Sequence, residues 1–169
     1  LAKPERLSNT RTLGIAGKVG ALDGSGSVYT LQVAGQGGLP STGIGSVALN
    51  VTVVDGLTND FGGYVTVYPC GTKPEASNLN FTAGQIIPNA VVAPVSASGT
   101  VCFYVYGKAH LLADVSGWLP AGGFTALAQP YRLLNTRTAG DAGKIGEIDG
   151  SGVAYTLQIA GQGGLPSAG

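Results

Sequence analysis

Charged residues are scarce in this sequence: Asp, Glu, Lys and Arg together make up 11% of its 169 residues, against roughly 25% in ordinary globular proteins. The nine basic and nine acidic residues cancel, and no basic cluster exists that could displace counterions from a nucleic acid. The hydrophobic fraction of 44% still predicts a folded core. We therefore expect no nucleic-acid binding, and a surface of small polar residues that suits close packing of like copies.

Long hydrophobic runs and methionine are also missing. The most apolar stretch, residues 86–95, is interrupted by Pro88, Asn89 and Pro94 and is too short to cross a bilayer, so we expect no membrane insertion. The sequence contains no Met and no signal peptide, which we interpret as typical of a processed product or an internal fragment.

Residue types that serve in catalysis or metal binding are few. The single histidine, His110, and Asp114 fall on one face of a predicted strand about 13 Å apart, which is too far for a hydrogen bond, and no activated nucleophile stands beside them. The loops at Asp23 and Asp149 offer one carboxylate each, whereas calcium takes several oxygen ligands, and one His with two Cys does not make a zinc site. We therefore predict a non-enzymatic protein without a metal or a cofactor, and interpret these loops as β-turns.

Cysteine occurs only at positions 70 and 102. Cys102 could in principle act as a nucleophile, but a disulfide with Cys70 is favoured over two free thiols because the rest of the composition is typical of extracellular proteins. Closing a loop of about 32 residues would stabilise the fold by about 3–4 kcal/mol in the chain-entropy model. The pair therefore predicts an extracellular or cell-surface location.

The sequence contains an internal repeat. Residues 1–43 align without a gap to residues 127–169, and 31 of the 43 pairs are identical. A period of 126 residues is too long for a solenoid coil and fits one domain per repeat, so we expect tandem copies in a longer parent. The folded domain is either residues 1–126, with residues 127–169 beginning the next repeat, or residues 44–169, with residues 1–43 packing on the preceding copy as added strands.

Apolar and polar residues alternate with period two in several segments separated by Gly- and Asn-rich turns, and none shows the 3.6-residue period of a helix. The predicted strands are residues 28–34, 46–54, 63–69, 78–82, 86–95, 100–106 and 109–115. Seven or eight short strands in one period predict an all-β antiparallel β-sandwich or jelly roll, tandemly repeated. A β-trefoil is the alternative, which we disfavour because the period contains no threefold sub-repeat.

Aromatic residues concentrate on two predicted strands that could be neighbours. These residues are Tyr64, Tyr68, Tyr104 and Tyr106, with Trp118 near them. A strip of this kind can stack on sugar rings, because each ring has a flat apolar face and a polar edge. Core packing or a contact between modules is the favoured interpretation.

One polar motif occurs in both copies of the repeat, as Asn9 and Arg11 and again as Asn135 and Arg137. A guanidinium at this point can hydrogen-bond backbone carbonyls of a neighbouring loop and hold the entry segment of the module in place. We predict a structural role for the motif.

Five motifs follow one another along the chain: NVTV at 50–53, GYVTVYPCG at 63–71, SNLNFTAGQ at 77–85, HLLADVSGW at 110–118 and RLLNTR at 132–137. Together they resemble the repeat modules of large secreted proteins of actinobacteria and related bacteria. The resemblance implies a non-catalytic module found in tandem outside cells or attached to secreted hydrolases. The usual form of the RLLNTR motif has Asp where this chain has Asn9 and Asn135, so a cation or an arginine would be held there less strongly.

Two functions fit these observations. The first is an extracellular structural module that forms a surface stalk, fibre or adhesive filament with adjacent copies of itself as partners, and strand sharing between copies is one route to such a filament. The second is a carbohydrate- or cell-wall-binding module appended to a secreted hydrolase, with a glycan as its partner.

Overall fold

The computed structural model describes residues 1–12, 20–24, 28–58, 62–127, 130–137, 146, 148 and 154–168. The chain divides into two compact units, Leu1–Ala126 and Leu127–Gly169. All the strands assigned to these described residues lie in the first unit. None of the described residues is in a helix.

The described part of the first unit contains eight strands. They are β1 (Glu5–Asn9), β2 (Tyr29–Gln32), β3 (Ile44–Leu57), β4 (Gly63–Pro69), β5 (Leu79–Phe81), β6 (Ile87–Pro94), β7 (Thr100–Tyr106) and β8 (Lys108–Pro120). They form two antiparallel sheets, in the orders β1-β8-β3-β6 and β2-β7-β4-β5. β1 pairs with β8, β2 with β7, β3 with β6 and β4 with β5, which is the pairing of a jelly roll. The prediction of an all-β antiparallel sandwich is confirmed.

The alternation of side chains explains why two sheets form and pack together. Successive side chains of a strand point to opposite faces of its sheet, and in β4 Val65 is fully buried while Tyr64 is only partly so. The inward side chains of both sheets build one hydrophobic core. Its largest fully buried members are Phe103, Leu7, Leu31, Leu111, Val33, Val47, Val51, Val53, Val65, Val101, Val105 and Val115.

Residues 1–43 supply an edge strand to each of the two sheets, β1 beside β8 and β2 beside β7. The hydroxyl groups of Ser8 and Tyr29 are hydrogen-bonded at 3.0 Å, so the two edge strands also contact one another. We call the described residues of 1–43 the N-terminal flank, and residues 44–126 the body. The flank completes the core with side chains that are at most 7% exposed: Leu7, Leu22, Tyr29, Leu31, Val33 and Leu39.

Cys70 and Cys102 form a disulfide, as predicted, with their Cα atoms 4.9 Å apart. Cys102 lies in β7 opposite Tyr68, and Cys70 follows directly after the end of β4. The bond therefore fastens the end of β4 to its neighbour strand. It joins two strands of the body and does not involve the flank.

The second unit reproduces turns of the N-terminal flank without its strands. Gly161 N donates to Pro166 O at 2.9 Å, as Gly35 N donates to Pro40 O at 2.9 Å 126 residues earlier. Residues 155–158, which correspond to β2, are not paired in a sheet. The local sequence thus sets the turn geometry, whereas strand formation depends on a neighbouring strand edge.

Candidate functional site

Three tyrosines lie together on the outer face of the sheet that contains β4 and β7. The register places Tyr64 opposite Tyr106, and their rings stack with centroids 5.3 Å apart and an interplanar angle of 15°. The ring of Tyr104 is tilted by 44° from that of Tyr64 at 6.0 Å. We call Tyr64, Tyr104 and Tyr106 the tyrosine face, which the alternation of β4 and β7 produces by burying Val65, Val105 and their neighbours.

An open depression of about 410 Å³ borders the tyrosine face. Tyr64 and Tyr106 form its aromatic side, and Asn80, Thr82 and Gln85 contribute polar groups to its lining. The Gln85 side chain accepts a hydrogen bond from the backbone N–H of Thr82 at 2.8 Å, which orders the loop after β5. A flat ring beside amide and hydroxyl groups is the chemistry that binds a sugar or a polar protein loop.

The positively charged side chain of Lys73 lies beside the tyrosine face. Lys73 places its Nζ atom 5.0 Å from the centroid of the Tyr104 ring, within the range of a cation–π interaction. The side chain comes from the loop that follows Cys70, so the disulfide and this contact both hold that loop near β7.

Two residues predicted to join this group are not part of it. Tyr68 lies on the same face of β4 as Tyr64, opposite Cys102 of the disulfide, but it is covered and only 2% exposed. Trp118 is 40% exposed but lies on β8, in the other sheet. The structure thus brings together three of the five aromatic residues that the sequence grouped.

Tyr64 and Tyr68 are favoured in their neutral forms. Burial raises the pKa of Tyr64 above its ordinary value, and the neighbouring Tyr104 and Tyr106 raise it further. Burial also raises the pKa of Tyr68. The neutral phenol of Tyr64 can donate and accept hydrogen bonds in a binding contact.

His110 and Asp114, which the sequence analysis considered together, have separate partners. Asp114 pairs with Arg6 in β1, and His110 contacts Thr10, the residue after β1. Both oxygens of Asp114 accept hydrogen bonds from Arg6, at 2.7 and 2.9 Å, and this pairing raises the pKa of Arg6. His110 Nδ1 lies 3.1 Å from Thr10 Oγ1, and Thr10 Oγ1 accepts the backbone N–H of Leu111 at 2.9 Å. These contacts attach the N-terminal flank to β8.

The Asn–Arg motif makes the same contacts in both units. Asn9 Oδ1 accepts hydrogen bonds from Arg11 N at 3.2 Å and Arg11 Nε at 3.3 Å. Asn135 Oδ1 accepts from Arg137 N and Nε, both at 3.2 Å. The amide therefore orders its own turn. The predicted bonds from the guanidinium to backbone carbonyls stay a prediction.

The described residues contain no cluster of three or more His, Cys, Asp or Glu side chains that could hold a metal ion. The loop at Asp149 lies outside the described residues, so the β-turn interpretation of that position stays a prediction. No helix within the described ranges has the length and apolar character needed to cross a membrane.

The sequence analysis missed three polar residues that attach the flank to the body or join its strands: Arg6, Ser8 and Thr10. A usable signal was present, because Arg6 is one of few charged residues in the chain and Arg132 stands at the matching position of the repeat. Their partners lie far along the chain, however, and Arg6 and Asp114 are separated by 108 positions.

Comparisons with protein-family models, with curated proteins and with solved structures found no match to this chain. The resemblance to actinobacterial repeat modules therefore stays a hypothesis that depends on the motifs themselves.

Proposed function

We propose that this chain is a non-catalytic, extracellular structural repeat module whose copies form a surface stalk, fibre or adhesive filament. The observation that carries the proposal is the duplication of the N-terminal flank. One copy completes a sandwich with the body, and the other follows directly after that sandwich with the same sequence at 31 of 43 positions. A chain built in this way extends by whole modules, each beginning with its own flank.

The chemistry of the module supports this role. A disulfide between two strands of the body fits an oxidising, extracellular location. With 11% charged residues and a formal net charge of zero, the surfaces of neighbouring copies repel each other weakly, which favours close packing in an array.

Electron microscopy of the natural protein tests the proposal. We expect thin filaments or stalks with a repeating density of one sandwich per period. Compact single particles that contain one or two sandwiches beside a larger catalytic domain would contradict it and would favour the second function below.

The second candidate function is a carbohydrate- or cell-wall-binding module, and the tyrosine face with its adjoining depression favours it. A glycan microarray probed with the intact chain tests this reading. Tyr106→Ala should abolish any signal, whereas the matched control Trp118→Ala should preserve it, because both side chains are 40% exposed but lie on different sheets. Equal loss in both variants, or no signal with the unmodified chain, would count against glycan binding.

A further inference from the structure

The second unit exposes side chains that its counterpart in the N-terminal flank buries. Ile159 is 52% exposed, whereas Val33 at the matching position is fully buried. Ile148 is 56% exposed, whereas its counterpart Leu22 is 5% exposed. These side chains are apolar in both copies, so the difference in exposure does not come from a change of residue type.

The residue types through which the flank contacts the body are also present in the second unit. Arg132, Leu133, Thr136 and Leu157 stand where the flank has Arg6, Leu7, Thr10 and Leu31. In the flank these four residues make the ion pair with Asp114, the hydrogen bond to Leu111 and two fully buried core contacts. Every one of these interactions is therefore available to the second unit when it meets a body.

We propose that residues 127–168 are a second flank that docks on the body of another copy, along the edges of β8 and β7 that the N-terminal flank covers in its own module. The inference rests on the proposed function, because it names the contact through which copies of the module join. The partner is a second copy of this chain, since only a body of the same sequence offers these two strand edges with the matching core positions.

The register of the docked second flank follows from the pairing that the N-terminal flank makes. Glu5 pairs with Val115 and Arg6 with Asp114 in β8, and Leu31 pairs with Val101 in β7. A shift of 126 positions places Arg132 opposite the other copy's Asp114. The same shift places Leu157 opposite the other copy's Val101.

One of the differences between the copies favours the flank that belongs to the body. Ser8 is 2% exposed and hydrogen-bonds Tyr29, but Leu134 stands at the position of Ser8 in the second flank. A leucine cannot form that bond, and a buried hydroxyl without a partner is unfavourable. A body that carries its own flank therefore keeps it, and the second flank binds a body whose own flank is absent or displaced.

A substitution that displaces the N-terminal flank tests the proposal in the full chain. Leu31 is fully buried, so Leu31→Asp places a charge in the core and expels β2. We expect Leu31→Asp to remain folded by near-ultraviolet circular dichroism and to have at least twice the mass of the unmodified monomer by light scattering. A closed dimer results when each copy receives the other's second flank.

Two matched variants complete the experiment. Leu157→Asp alone should leave the monomer and its melting temperature unchanged, because Leu157 belongs to no strand of either sheet. Leu31→Asp with Leu157→Asp should unfold, since neither flank can then dock. If Leu31→Asp unfolds as completely as the double variant, the proposal is wrong. A folded Leu31→Asp monomer would equally overturn it, because the second flank would then serve its own body.

Cysteine trapping checks the register in the Leu31→Asp background. Asp114→Cys combined with Arg132→Cys should give a dimer on a non-reducing gel, and mass spectrometry should find the 114–132 bond between chains. The absence of this bond in a folded dimer would refute the proposed docking. Filaments seen by microscopy without any such exchange would leave the proposed function intact and remove only this inference.

Discussion

The Ser8 hydroxyl lies 3.0 Å from the Tyr29 hydroxyl, and this hydrogen bond joins an edge strand of one sheet to an edge strand of the other. Both residues belong to the N-terminal flank, and they are 2% and 7% exposed. The flank is therefore held together internally as well as by its pairing with β8 and β7. The described residues of the flank thus form one connected element that spans both sheets.

The burial of Tyr29 predicts a loss of stability in alkali. Burial raises the pKa of Tyr29 above its usual value of 10.0, and the bond to Ser8 partly offsets that rise. Because the folded pKa lies above the unfolded one, stability is fully present below about pH 10 and is lost as the pH rises through the folded pKa. Urea unfolding of the chain at a series of pH values should show this fall.

Tyr29→Phe separates the effect of the hydrogen bond to Ser8 on stability from the effect of the phenol's titration. Near neutral pH it should destabilise the fold by about 1 kcal/mol, because Ser8 loses its partner, and the alkaline fall should become shallower because one titrating group is gone. The alkaline fall should not vanish, since burial raises the pKa of Tyr68 as well. An unchanged alkaline profile in Tyr29→Phe would show that Tyr29 does not cause the loss.

The disulfide should stabilise the body substantially. The variant with both Cys70→Ser and Cys102→Ser should lose about 3–4 kcal/mol of unfolding free energy, because it removes a cross-link that closes a long loop. Thermal unfolding of the oxidised chain and of the variant measures this difference. Two free thiols in protein taken from its natural location, detected by mass spectrometry, would contradict the extracellular assignment.

Asn9→Asp should strengthen the turn at the end of β1. Arg11 donates to the Asn9 side chain through N and Nε, and a carboxylate makes a stronger, charge-assisted bond than an amide does. The site is exposed, so we expect a gain of less than about 1 kcal/mol that diminishes in high salt. Asn135→Asp is the matched control and should leave unfolding of the sandwich unchanged. A destabilised Asn9→Asp would refute this account of the motif.

Thr10→Val should lower the free energy of unfolding more than His110→Ala does. Thr10 is fully buried and its hydroxyl accepts the Leu111 N–H, so valine leaves a buried donor unpaired at a cost of about 1–3 kcal/mol. His110→Ala removes a partly buried neighbour and should change stability less. The discovery of a hydrolase activity in this chain that His110→Ala abolishes would overturn the non-catalytic account.

Several strands could be predicted from alternation alone. The predicted ranges 63–69 and 100–106 coincide with β4 and β7, because these strands are regular and their inward positions are apolar. β3 and β8 extend beyond the predicted ranges 46–54 and 109–115. A register shift follows each predicted range and interrupts the period of two: between Val54 and Leu57 in β3, and between Val115 and Gly117 in β8.

β1 was not predicted, and the reason is local. Leu7 and Ser8 are adjacent and both buried, beside a register shift between Arg6 and Ser8, so the strand shows no alternation. The grouping of Tyr64, Tyr104 and Tyr106 followed from sequence because neighbouring strands bring outward residues together. The position of Trp118 did not, because it depends on which sheet receives β8.

Hydrogen exchange of two identical segments tests the central claim most directly. Residues 29–32 and 155–158 both read Tyr-Thr-Leu-Gln, and peptides that extend one residue further are distinguished by Val33 and Ile159. In the dilute purified chain we expect strong protection at 29–32 and little at 155–158, because only the first copy is paired in a sheet. In filaments of the natural protein we expect both segments to be protected. Rapid exchange at 155–158 in those filaments would contradict the account.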